Sequence, residues 1–313
     1  MSILVCGSMA YDNIMVFGDR FKNHILPEQI HILNVSFLVP ELRRDFGGCA
    51  GNIAYSLRLL GADPLIVATV GDDAADYRQR LDELGLRQDY VRHVPGAYTA
   101  QAFITTDADD NQITAFHPGA MMFSHQNDVR AAVGARLAIV SPDGRDGMLR
   151  HVDGLAEAGV PFVFDPGQAL PILSADELLH CLRLARYCAV NDYEAQLICD
   201  KTGWTIEALA AEVDALVVTR GGEGSHIHAG GDLIEIPAVP VDAVVDPTGC
   251  GDAYRAGLLY GISQAWDWIS CGRMAAVMGA IKIGHRGGQN HRPAREDIEA
   301  VYFAAFGETP SWG

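Results

Sequence analysis

The sharpest chemistry in the chain lies in Asp246–Gly257, which reads DPTGCGDAYRAG. Gly249, Cys250 and Gly251 are small, so the backbone there can turn tightly and present successive N–H groups. Placed at the start of an apolar helix expected over Ala253–Gln264, those groups form an anion-binding nest. Asp252 falls in the first turn of that helix, where the helix dipole favours its ionised form. An ionised carboxylate beside a phosphoryl group can orient and deprotonate an attacking hydroxyl. The simpler alternative is an Asp that only caps the helix. Cys250 raises a rival idea, since a thiol at a helix N-terminus has a lowered pKa and can act as a nucleophile. No particular His partner is evident, and Cys250 reads more simply as a small residue. Arg255, one turn on, reads as a solvated helix residue, with added positive charge beside the anion as the alternative.

Other candidates sit just after apolar runs. Asn191 and Glu194 (NDYE) have the pattern of a helix N-cap with an acidic first turn. Thr219, Gly221, Gly222 and Gly224 (TRGGEG) would bring backbone against a nucleotide, although many turns look like this. The loop is not a Walker A sequence, since no G-x-x-x-x-G-K-[ST] occurs. Asp12 follows the first apolar run, and Gly47 and Gly48 precede a helix that bears Asn52. Asp165 ends another run, FVFDPG, and receives no role.

The elements that would position these residues alternate between strand and helix. Strands are expected at Ser2–Cys6, Leu65–Thr69, Leu137–Ser141, Phe162–Asp165, Tyr187–Asn191 and Leu216–Thr219, with Ile234–Ile236 and Ala243–Val245 before the glycine nest. Helices are expected at Gly51–Leu60, Ala74–Leu84, Arg145–Glu157, Ser174–Arg183, Glu194–Cys199 and Ile206–Val213. Such alternation means a mostly parallel sheet covered on both faces, which binds ligands at the carboxyl ends of its strands. Two segments break the pattern. Phe17–Leu38 and Tyr98–Phe116 alternate apolar and polar residues, the second as a hairpin around Asp109-Asp110-Asn111. They are expected to pair as a small antiparallel sheet, a lid over residues of about 13–40 and 97–118 that would keep water from the reaction. Two ordinary surface hairpins are the alternative. The expected organisation is one α/β domain over residues 1–313 with this lid.

Composition narrows the function classes. The 313 residues carry 23 Lys+Arg against 40 Asp+Glu, a net charge of −17, which argues against a general nucleic-acid binder. Backbone N–H groups can still bind phosphate without basic side chains. Seven cysteines with no C-x-x-C read as reduced thiols of a cytoplasmic protein rather than a disulfide framework or zinc site. The N-terminal SILVC reads as a buried strand rather than a signal peptide, and no apolar run reaches the length of a membrane span.

Taken together, these motifs identify a family. DPTGCGDAYRAG resembles the second signature of the PfkB (ribokinase-like) carbohydrate kinases, and Asp45–Leu60, DFGGCAGNIAYSLRLL, resembles the first. NDYE resembles the family's N-x-x-E motif, TRGGEG its T-x-G-x-x-G nucleotide loop, and Asp12 its early substrate-binding Asp. The matches fall in the family's order over essentially the whole chain. The resemblance implies a ribokinase-like three-layer fold with a small β-sheet lid, ATP as phosphoryl donor and Mg2+ as cofactor. It implies Asp252 as catalytic base, Gly249–Gly251 as anion hole, Asn191 and Glu194 as organisers of magnesium through water, and Thr219–Gly224 against the nucleotide. Asp12, Gly47, Gly48 and Asn52 would hold sugar hydroxyls. Many family members bind a monovalent cation beside the anion hole. The matching positions are Asp246, Thr248 and the loop Lys282–His291, where K+ is expected, although Lys282, His285 and Arg286 sit oddly with a cation.

Family members phosphorylate sugars or nucleosides. A nucleobase needs a flat apolar slot, whereas a free sugar needs mainly polar groups. The lid segments supply Phe37, Tyr98, Phe103, Phe116, Met121 and Met122, of which Phe103, Phe116 and Met121 are the expected base contacts. The text from GSMAYDNI through HPGAM is most like the family's prokaryotic adenosine and nucleoside kinases. The resemblance therefore implies transfer to the 5′-hydroxyl of a nucleoside such as adenosine, inosine or guanosine, with a ribokinase or related sugar kinase as the alternative. A non-catalytic sensor is the reading from another class, and the intact Asp252 and nest argue against it. The edges of a lid sheet could pair across two chains as a homodimer.

Overall fold

The computed structural model describes residues 2–25, 34–109, 111–132 and 134–312. Its plan is visible in the first strand, β1 (Ser2–Cys6). Ile3 and Val5 enter one apolar core and Leu4 and Cys6 the other, all without solvent exposure. A strand apolar on both faces must be covered on both faces. The chain continues through β2 (Ala10–Val16), β3 (Glu41–Gly47), α1 (Cys49–Leu59), β4 (Asp63–Val70), α2 (Ala75–Glu83) and β5 (Arg87–His93). Then come β6 (Ala100–Thr106), β7 (Gln112–His117), β8 (Ala135–Val140), α3 (Arg145–Glu157), β9 (Phe162–Phe164), α4 (Ala175–Leu184) and β10 (Tyr187–Asn191). The remainder is α5 (Asp192–Thr202), α6 (Ile206–Glu212), β11 (Ala215–Thr219), β12 (Ser225–Ala229), β13 (Asp232–Ile236), α7 (Cys250–Ser263), α8 (Trp268–Ile283) and α9 (Arg295–Phe306).

Nine strands form one sheet in the order β13-β12-β11-β10-β9-β8-β1-β4-β5. From β11 to β5 every pairing is parallel, and β12 and β13 are added antiparallel at one edge. Buried residues of α1, α2, α7, α8 and α9 share one core with one face of the sheet, and those of α3–α6 share the other. The result is the three-layer α/β arrangement expected from the alternation. The expected strand Ala243–Val245 is absent. Val244 and Val245 are exposed and lie in an irregular stretch whose amides are taken by the end of α8: Val245 and Asp246 N–H donate to Ile283 O at 2.9 and 3.1 Å.

The small sheet differs from the expectation in two ways. Its order is β3-β2-β6-β7, with β2 and β6 parallel and only the outer pairs antiparallel. Both β2 and β6 leave the carboxyl side of the large sheet, after β1 and β5, so they run the same way. Its strands also flank the first expected segment rather than fill it. Residues 34–40 carry no strand, residues 26–33 lie outside the described residues, and the second strand of that pair is Glu41–Gly47, which runs into the DFGG motif. The β6–β7 hairpin matches its expected place; Asp110, expected at its turn, lies outside the described residues.

Helix α7 holds its position through close contact with α8. A Cβ added at Gly257 would lie 2.6 Å from Ala275 Cα and 2.7 Å from Met274 O. At Gly261, one turn on, it would meet Cys271 Sγ at 2.8 Å. Backbone cannot yield as a flexible side chain can. Gly257→Ala is therefore expected to cost about 1–3 kcal/mol of stability, as overpacked cores do. Denaturant midpoints of the two proteins measure this, and equal midpoints would show that the helices are not held at this distance.

Candidate active site

The site lies beyond the carboxyl ends of β8 to β11, where Pro142, Asp165, Asn191 and Thr219 line one cavity of about 470 Å³ together with Gly249, Gly251, Asp252 and Arg255. Strand-end clefts of this kind are where open α/β sheets bind ligands. Thr219, Gly221 and Gly251 also border a second cavity of about 320 Å³, walled by Val239, Val241, Val244, Tyr254, Ala280 and Ile283. One space is polar and carboxylate-lined, the other apolar, and they share a rim.

The nest forms at the start of α7. Gly249 is the N-cap in the left-handed conformation, φ +77°, and an added Cβ would meet Gly288 Cα at 3.0 Å. Of the three nest residues, Cys250 turns its amide inward, to Pro247 O at 3.1 Å. The amides of Gly251 and Asp252 have no protein acceptor among the described residues, as the orphan donors of a helix start should. Thus Gly251 and Asp252, with the α7 dipole behind them, offer the anion site.

Asp252 is only partly exposed, and Asn52 of α1, itself 4% exposed, donates Nδ2 to its Oδ2 at 2.8 Å. The sequence suggested a carboxylate kept firmly ionised by the dipole. Instead, burial pushes the Asp252 carboxyl up to about 6, with the Asn52 bond opposing and the Asp165 charge adding to the rise. That value suits a base working near neutral pH. Asn52, expected on the acceptor side, thus reaches the candidate base. Behind it, Gln289 donates to Asn52 Oδ1 at 3.2 Å and to the Tyr77 hydroxyl at 2.7 Å, and that hydroxyl donates to Gly47 O at 2.6 Å. Tyr77 carried no motif and Gln289 only a place in the Lys282–His291 loop, and the folded contact reveals what both do.

Arg255 is not a solvated residue. It is 5% exposed and donates to Asp165, Nε to Oδ2 at 3.0 Å and Nη2 to Oδ1 at 3.3 Å, and to Ala189 O at 3.3 Å. The pair satisfies two charges that could not be buried singly. Asn191 and Glu194 form a complete capping box on α5: Glu194 N–H donates to Asn191 Oδ1 at 2.7 Å, and Asn191 N–H to Glu194 Oε2 at 2.8 Å. Glu194 Oε1 has no protein partner among the described residues. Burial, then the Asp165 charge, holds the Glu194 carboxyl above its ordinary value. No cluster of three or more metal-ligating side chains exists among the described residues. The Glu194 carboxylate would suit a hydrated Mg2+, which prefers oxygen and keeps several waters. In the Thr219–Gly224 loop, Gly224 has φ +87° and a Cβ there would sit 2.1 Å from Ile236 O, so only glycine fits. Gly222 lines the apolar cavity with Gly221. Cys250 lines it too, and burial pushes its thiol up to about 11, the reverse of an activated nucleophile.

On the acceptor side, Asp12 stands on β2 with its carboxyl pushed up to about 6 by burial and then by the charges of Asp45, Asp252 and Asp246. A Cβ at Gly47 would meet its Oδ2 at 2.4 Å, and one at Gly48, φ +85°, would meet the backbone of Ser8–Ala10. Register decides which aromatic residues can join Asp12. Asp12 pairs with Ala102, which pairs with Phe116, so Phe116 shares its face. Phe103 pairs with Asn13 and Ala115, on the opposite face. The expected base contact from Phe103 is therefore corrected: a period-two strand cannot point adjacent registers the same way. Ile14 and Ile104, cross-strand partners two residues along, do share Asp12's face and were missed. Met121 lies beyond β7 with its carbonyl against Gly144. Asp246 accepts Thr248 N–H at 2.9 Å and Gly287 N–H at 2.8 Å; burial alone would raise its carboxyl, but these amides and Lys282 bring it below the ordinary value.

Comparison with known proteins places the chain among relatives. The model of the pfkB family carbohydrate kinases matches residues 12–295. A nucleoside kinase of Burkholderia thailandensis, solved in complex with inosine, is 55% identical with a TM-score of 0.90, covering 98% of this chain and 99% of that one. It has also been solved in complex with ADP-inosine. A nucleoside kinase of Methanothermobacter thermautotrophicus is 31% identical over 316 residues, 98% of this chain and 97% of its own.

The Asn52–Asp252 bond makes a prediction about pH. A carboxyl near 6 loses its ability to accept a proton as pH falls through that value, so kcat/KM should fall on the acid side near pH 6. Asn52→Leu removes a donor that favours the ionised form, so the acid limb should move to higher pH. One hydrogen bond corresponds to a shift of about half a unit to one unit. A pH–rate profile reads this, and an unmoved limb would show that Asn52 does not set the ionisation.

Proposed function

The chain belongs to the pfkB family of carbohydrate kinases, and on that premise we propose that it transfers the γ-phosphoryl group of ATP to the 5′-hydroxyl of a nucleoside. One observation carries this reading. Asp252, half-hidden and held by Asn52, stands beside two unpaired amides at the rim shared by a polar and an apolar cavity. The apolar cavity suits the adenine of ATP, and the polar one its phosphates. The acceptor hydroxyl would sit between Asp252 and the γ-phosphoryl group. Asp252 would take its proton while the Gly251 and Asp252 amides stabilise the charge that develops. Mg2+ would be held through water by Glu194, beside Asn191, and would neutralise phosphate charge.

The nucleoside half of the reading rests on Asp12 and its neighbours. Asp12 would accept two ribose hydroxyls, with Gly47 and Gly48 letting the sugar approach backbone. Ile14, Ile104 and Phe116 give the same sheet face an apolar strip between the polar Asp45, Arg43 and Thr114, as a base slot requires and a free sugar does not. Inosine in the Burkholderia enzyme supports a purine nucleoside. We propose the small sheet as a lid that closes over the acceptor. Its edge strands β3 and β7 are the proposed contact of a homodimer. No helix of the described residues is long and apolar enough to cross a membrane, and the free thiols suit a cytoplasmic enzyme.

The test is ADP release from Mg·ATP with adenosine, inosine, guanosine, cytidine, ribose and fructose as acceptors. Turnover on nucleosides and none on the free sugars is expected. Turnover on ribose or fructose alone would mean that the apolar sheet face is structural and that the enzyme is a sugar kinase.

A further inference from the structure

Directly beside the nest, the loop that enters α7 meets the loop that leaves α8. Lys282, in the last turn of α8, stands at that junction with no solvent exposure. Its Nζ donates to the carbonyl oxygens of Asp246 at 2.7 Å and His285 at 2.9 Å. The Asp246 side chain ties the same two loops, accepting from Thr248 N–H and Gly287 N–H. Lysine is almost never fully buried unless it is paired, and a Met or Leu would fill this volume without the cost of burying an ammonium. Burial lowers its pKa, while the charges of Asp246, Asp252 and Asp45 oppose that fall.

These are the positions at which K+ was expected. A potassium ion here would need backbone carbonyls as ligands, and the Asp246 and His285 carbonyls already face a protein ammonium. Two like charges at that separation repel strongly in a buried place. The residues present therefore do not fit a second cation.

We infer that Lys282 is a positioning residue that replaces the monovalent ion, its ammonium holding the Asp246–Gly251 loop so that the kinase needs no K+. The physical logic is preorganisation. With Asp246 and His285 carbonyls turned to the ammonium, the loop backbone is fixed, and the Gly251 and Asp252 amides stay aimed at the transferred group. A tethered charge does this without depending on the concentration of any salt. Turnover as a readout rests on the kinase reading above; nucleotide binding does not.

The experiment compares KCl, NH4Cl and tetramethylammonium chloride at constant ionic strength, by initial rate and by calorimetric ATP binding. For the wild-type protein both readouts are expected to be the same in all three salts. Lys282→Met should lose about tenfold or more in rate without K+, the scale of a misplaced preorganised donor, and K+ or NH4+ should restore much of the loss. Activation of the wild-type protein by K+ would overturn the inference, and needs no variant. So would a folded Lys282→Met protein that is unaffected in tetramethylammonium chloride, or impaired beyond rescue by either cation. If Lys282→Met does not fold, the wild-type comparison decides. Absence of turnover with every acceptor would count against the kinase reading alone, since salt-independent ATP binding would still be read.

Discussion

Everything at the proposed site depends on one constraint: a buried carboxylate must remain able to take a proton. The hydrogen bond from Asn52 to Asp252 meets it. It joins α1 to the start of α7 across 200 residues of sequence. Burial alone would push Asp252 toward its neutral form, and the Asn52 amide holds it back. The bond in turn needs support. Gln289 fixes Asn52, Tyr77 fixes Gln289, and the Tyr77 hydroxyl reaches Gly47 at the end of β3. One chain of hydrogen bonds thus runs from the small sheet to the candidate base. The close crossing of α7 and α8 holds the other partner in place.

The electrostatics of the pocket follow from the same constraint. The chain has a net charge of −17, and Asp12, Asp45, Asp165, Glu194, Asp246 and Asp252 surround the proposed path of an anion. Two buried cations, Arg255 and Lys282, answer them, each committed to protein partners rather than left for the ligand. In the proposed mechanism, binding of phosphate therefore falls mainly to backbone amides and the α7 dipole, which carry partial charge without adding another titrating group. This is how an acidic protein can be a nucleoside kinase.

Much of this was legible in the sequence because parallel strands buried on both faces read as short apolar runs. β1 and β10 fall at their expected bounds, as does the helix Arg145–Glu157. The glycine string placed the start of α7 near Asp252. What stayed hidden depends on partners distant in sequence. The parallel pairing of β2 with β6 joins residues about ninety apart, and register alone separates Phe116 from Phe103. Arg255 looks like a solvent residue until Asp165 is seen beside it, Tyr77 belongs to no motif, and nothing in the Lys282–His291 loop marks Gln289 as a partner of Asn52. Val244 and Val245 have strand propensity, but the Val245 and Asp246 amides bind Ile283 O of α8 instead of a strand, so tertiary context overrides it.

The central claim is that Asp252 takes the proton of the acceptor. Single-turnover transfer by Asp252→Asn, with inosine and ATP affinities measured alongside, tests it most directly. The account predicts a rate lower by about 10²–10⁴-fold, the usual contribution of a general base, with both affinities largely kept. Transfer at close to the wild-type rate would contradict it.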